Sequence, residues 1–123
     1  MRHLLIPIAA LALLLPLGAA HAAMPAAGAG VTLSGEIVDM ACYLGHGAHG
    51  PEHAACALKC AQAGQPVGLL TTDGKLYLLL GDHADTSAFD KAKTLAGQKV
   101  EIKGEKADRD GVQGLIVESV SKA

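Results

Sequence analysis

The sequence predicts a mainly β domain of five strands with short helices. Three observations carry that prediction. Val31 to Asp39, "VTLSGEIVD", alternates apolar and polar residues, the period of a half-buried strand. Two later pairs of apolar runs are each joined by a polar turn containing Asp-Gly, the signature of a hairpin. Two stretches of helical character, each followed by a glycine, fall between these strands.

In order, the first strand places Val31, Leu33 and Ile37 on one side and Thr32, Ser34 and Glu36 on the other. Gly35 in its middle marks a bend or bulge. A glycine-rich loop follows, and then a helix. Proline is favoured in a first helical turn, so Gly50-Pro51 sets the start. Gly64 stops it, which gives a helix from Pro51 to Ala63. "PVGLLTTDGKLYLLLG", residues 66–81, is a hairpin turning at Asp73-Gly74. "TSAFDKAKTLAG", residues 86–97, is a helix capped by Ser87 or Thr86 and ended by Gly97. "KVEIKGEKADRDGVQGLIVESV", residues 99–120, is two strands joined at Asp108 to Gly111.

The domain thus has five strands, with one helix between the third and fourth and an extra helix between the first and second. With the "GQKVEIKGEKADRDGVQGLIVESV" hairpin, residues 97–120, the chain resembles the small exported bacterial OB-fold-like domains of the tRNA-anticodon-binding-like superfamily. The resemblance implies a five-stranded, partly open barrel over residues 31–123. It says little about function, because that fold hosts unrelated roles. The Cys- and His-bearing insertion between the first two strands departs from the pattern. Another small β-barrel or roll is the alternative.

The N-terminus is read as a secretory signal peptide over residues 1–22. Arg2 and His3 precede the apolar run Leu4 to Leu17, and Ala20-His21-Ala22 supplies a cleavage site. No cysteine follows that run closely, which argues against a lipid anchor, and the run is short for a membrane span. A flexible leader, residues 23–30, follows. The expected location is periplasmic or secreted, with no stable membrane insertion once the signal is removed. About 100 residues then remain, a size at which a disulfide or metal adds materially to a modest core. The net charge is −2 with mixed signs, and no basic stripe argues for nucleic acid.

All three cysteines and three of the six histidines lie between residues 42 and 60. On the predicted helix His53, Cys56 and Cys60 fall within about 60° of one another, at offsets of three and four residues. Ala54, Ala57, Leu58 and Ala61 occupy the adjacent face and should pack on the barrel, while Ala55, Lys59 and Gln62 face away. The soft stripe then sits at the boundary of core and solvent. Cys42 follows the first strand and can close on the stripe. Cys42, His53, Cys56 and Cys60 form a Cys₃His set suited to zinc, or to Cu(I), which favours thiolates. His46 and His49 in "GHGAHG", and Met40, can complete or load it. The C-x13-C-x3-C spacing is not a standard zinc-finger pattern.

Exported proteins are oxidised, so a Cys42 disulfide to Cys56 or Cys60 is the competing reading, in a structural or protein-interaction module without metal. Three is an odd number, however, and leaves one thiol over. A thiol-redox role would fall to Cys56 near the helix start. No C-x-x-C pair or C-x-x-C-H haem signal is present. His83 reads as a solvated turn residue, Asp82, Asp85 and Asp90 as turn and helix-end charges, and Tyr77 as barrel wall. No triad, phosphate loop or paired-carboxylate motif stands out, so an enzyme is not expected. The expected partners are a metal ion, zinc or copper, or an unknown protein, and no nucleic acid.

Overall fold

The computed structural model describes residues 30–123. The expected signal peptide and leader lie outside them, except Gly30, which opens the first strand instead of ending a leader. The elements are β1 (Gly30–Asp39), α1 (Met40–His46), α2 (Ala54–Gln62), β2 (Val67–Thr71), β3 (Leu76–Leu80), α3 (Ser87–Thr94), β4 (Lys99–Lys106) and β5 (Gly114–Lys122). The five strands close in a ring in the order β1-β2-β3-β5-β4, with β4 returning to β1. Only β3 and β5 run parallel; every other neighbouring pair is antiparallel. Among the described residues, no helix is long and apolar enough to cross a membrane.

β1 serves two neighbours. Its first part pairs with β4 and its last part with β2, and Gly35 and Glu36 belong to both ladders. A Cβ at Gly35 would overlap the Leu70 carbonyl. Only glycine lets the two strands approach so closely, and there β1 turns from one partner to the other. The alternation read in the sequence holds as far as Ile37: Thr32 and Ser34 are exposed, Val31 and Leu33 half-buried and Ile37 fully buried, after which Val38 and Asp39 are buried as well. β4 alternates as cleanly, with Val100 and Ile102 inward and Lys99, Glu101 and Lys103 outward. A bulge at Lys103/Gly104 accommodates its curvature against β5.

Both expected turns form, each by its own chemistry. At Asp73-Gly74 the Thr71 hydroxyl donates to the Asp73 carboxylate and accepts the Lys75 N–H at 2.9 Å, while Gly74 takes φ +82°. In the last hairpin Asp110 and Gly111 take φ +50° and +86°, and Arg109 and Val112 exchange both backbone bonds. Positive φ at both central residues matches the right-handed twist of the flanking strands.

The core is aliphatic: Ile37, Val67, Leu69, Leu79, Val100, Ile102, Leu115 and Val117 are almost fully buried, each contributing about 1.5–3 kcal/mol. Tyr77 is buried in the wall with Lys106 over its ring. α2 adds Ala57 and Ala61 to this core, while Ala54 and Leu58 are half-buried. α3 packs through Ala92, and Lys91 donates to the Val120 carbonyl at 2.9 Å.

The helices depart from expectation in three places. The segment after β1, expected as loop, is the two-turn helix α1. α2 begins at Ala54 instead of Pro51, because Gly50 takes φ +88° and the bonds from His53 to Gly50 and Ala54 to Pro51 are i→i−3. The first i→i−4 bond runs from Ala57 to His53 at 2.9 Å. Thr86 stands at the start of α3, but its hydroxyl donates to Asp90; the Asp85 carboxylate accepts the Ser87 N–H instead. α2 does end as read: Gly64 is left-handed, its N–H reaches Ala61 and that of Gln65 reaches Cys60.

Candidate metal centre

α1 exists because of Asp39. This residue ends β1 in extended geometry, and its carboxylate accepts the N–H groups of Ala41 at 3.4 Å and Cys42 at 2.9 Å. Those are two of the orphan donors at a helix start. Gly47, left-handed at φ +69°, ends the helix. Cys42 is thereby held in the first turn, directly over its own cap.

The chain then returns to start α2. His49 packs edge-on to Tyr43, with ring centroids 5.9 Å apart, and its Nδ1 is 2.8 Å from the Gly47 carbonyl oxygen. The Gly50 N–H donates to the Glu36 carboxylate at 2.7 Å, tying the start of α2 to β1. On the other side Gly97, at φ +79°, lies so close to α2 that a Cβ there would sit 2.5 Å from the Ala54 Cα. The position of His53, one residue before Ala54, is therefore fixed from two sides.

These constraints place the four sequence-predicted ligands in two overlapping groups. Cys42, His53 and Cys56 have ligand atoms within 4.8 Å of one another, and so have Asp39, Cys42 and Cys60. Cys42 belongs to both groups. The Cys60 sulfur therefore lies within 4.8 Å of the Cys42 sulfur. A tetrahedral ion with bonds of 2.0–2.3 Å needs donor atoms about 3.5–3.8 Å apart, so within each group closing on an ion needs at most about 1 Å of contraction. His53 Nε2 is buried and has no hydrogen-bond partner among the described residues. A buried imidazole nitrogen without a partner is costly, and a metal ion would satisfy it.

The predicted boundary position is also seen: Cys42, His53 and Cys60 are half-buried and Cys56 is exposed. His46 and His49 are exposed and belong to neither group; His49 is occupied by Tyr43 and Gly47. Met40 fills the space left by Gly68 with its sulfur. His83 is exposed. The three cysteines are free thiols.

Asp39 was not read from the sequence as part of the site. It is fully buried at 0% exposure. Burial works to raise its carboxyl, but bonds from the Cys42 thiol and from the Cys42 and Ala41 N–H groups outweigh burial and hold it below the usual range. In return the hydrogen bond to Asp39, with burial and the Asp39 charge, pushes the Cys42 thiol up to about 12. Burial, followed by Cys56, raises the Cys60 thiol as well. Without an ion these thiols keep their protons. A metal would take the place of those protons, as thiolate ligation requires. The signal for Asp39 was present: an Asp at the end of a strand with a glycine eight residues on is a cap and stop for a short helix.

A separate cleft of about 290 Å³ opens beside Gly35, lined by residues that include Glu36, Thr71 and Lys99. It holds no Cys or His among the described residues, and its Thr71 and Glu36 side chains are already engaged by Lys75 and Gly50.

Comparisons with protein-family models, with curated proteins and with solved structures found no match to this chain.

Proposed function

We propose that this is an exported, OB-fold-like metal-binding module in which Cys42, His53, Cys56 and Cys60 hold one transition-metal ion, zinc or Cu(I). Two observations carry the reading: a ring nitrogen of His53 lies within 4.8 Å of the Cys42 and Cys56 sulfurs, and its Nε2 is buried with no hydrogen-bond partner among the described residues. Three thiols and one imidazole suit either ion. The β1-β2-β3-β5-β4 ring with α3 between β3 and β4 supports the OB-fold-like assignment. The module binds and does not catalyse: the polar groups that converge are ligands and a cap.

The test is native mass spectrometry of protein purified anaerobically, with a thiol count on denatured, unreduced material. One zinc or copper per chain and three free thiols are expected. One intramolecular disulfide, a single free thiol and no uptake of either metal would establish the disulfide-stapled module instead.

A further inference from the structure

The proposed centre has a fifth member. Asp39 is fully buried, and its carboxylate lies within 4.8 Å of the Cys42 and Cys60 sulfurs. It cannot swing away, because the Ala41 and Cys42 N–H groups hold it at the start of α1. Those donors favour its ionised form. Among the described residues Asp39 forms no salt bridge; the ion pairs there are Lys75–Asp73, Lys93–Asp90 and Lys103–Glu118.

With three thiolates and a neutral imidazole around the ion, Asp39 makes a fourth negative charge. A divalent ion leaves the cluster at −2 and a monovalent ion at −3. Excess charge in a partly buried site is expensive. The Cys₃His set alone does not choose between the two ions. Resting on the metal-binding reading above, we infer that Asp39 sets the selectivity of this site, favouring a divalent ion of zinc type over Cu(I).

The size follows from Coulomb's law. Going from +1 to +2 adds one unit of attraction to a carboxylate about 5 Å from the ion. At an effective dielectric of roughly 20–40 this is a factor of about 15 to 300 in relative affinity.

Asp39→Asn removes the charge and keeps a capping oxygen; Asp39→Ser does the same with a shorter side chain. Both preserve an acceptor for α1, so one stands in if the other fails to fold. The reduced full chain and both variants are titrated anaerobically at one pH, with zinc against a fluorescent zinc chelator and Cu(I) against a bathocuproine chelator. The zinc-to-Cu(I) affinity ratio should fall at least tenfold in each folded variant. A purely structural cap would weaken both metals alike and leave the ratio unchanged. Stoichiometric binding with a ratio within threefold of the parent would overturn the selectivity while leaving the metal site intact. No binding of either metal to the parent would overturn both.

Discussion

Replacing Gly97 with alanine should cost more than its backbone angle alone explains. Gly97 has φ +79°, a region an alanine occupies at a cost of about 1–2 kcal/mol. The new Cβ would also stand 2.5 Å from Ala54 Cα, 2.6 Å from Ala54 O and 2.8 Å from Ala54 Cβ. Two of those are main-chain atoms of α2, so no rotamer change relieves the overlap, and overpacking adds about 1–3 kcal/mol. The sum is about 2–5 kcal/mol. Gly74→Ala is the internal control. Its φ is +82°, but nothing lies within 4 Å of its Cβ position, so it should lose only the backbone term. Urea unfolding of both variants beside the parent measures the difference. Relief by shifting the start of α2 would move His53, so Gly97→Ala should also weaken zinc binding while Gly74→Ala leaves it alone. Equal destabilisation by the two substitutions would show that Gly97 does not set the position of α2.

Three further outcomes are expected. In the zinc-loaded protein Cys42→Ser and Cys60→Ser should each lower stability by a few kcal/mol, and the double variant by little more, because either change breaks the same unit; fully additive losses by urea unfolding would separate the two residues. His53→Ala should weaken zinc binding strongly yet leave the metal-free fold near the parent, since Nε2 has no hydrogen-bond partner among the described residues to lose; unchanged zinc affinity in a chelator competition would remove His53 from the ligand set. The Asp73 carboxyl is held below its ordinary value by the Thr71 hydroxyl and then by Lys75, so its contribution is present above the unfolded value of about 3.9 and is lost as pH falls through the lower folded one. Thr71→Val should therefore raise its NMR titration midpoint, and an unmoved midpoint would mean that the hydroxyl does not hold it.

The sequence by itself determined the features with a short-range cause. Alternation from Val31 to Ile37 marked the first strand, because side chains on a strand face opposite sides in turn. Asp73-Gly74 and Asp110-Gly111 marked turns, because glycine tolerates the positive φ that such turns demand. His53, Cys56 and Cys60 fell on one helical stripe because offsets of three and four residues are neighbours on any α-helix. Tertiary structure decided the rest. The start of α2 moved to Ala54 because Gly50 is tied to Glu36, fourteen residues earlier in the chain. The parallel β3–β5 seam and the return of β4 to β1 depend on how curved strands meet, which no local period encodes. The partners of Cys42 were settled the same way. Its thiol meets His53, Cys56 and Cys60 only because Asp39 ends a strand, caps a helix and stays buried beside them. A local pattern can name the donor atoms, but distances of a few ångströms between separate elements are set by the packing that joins those elements.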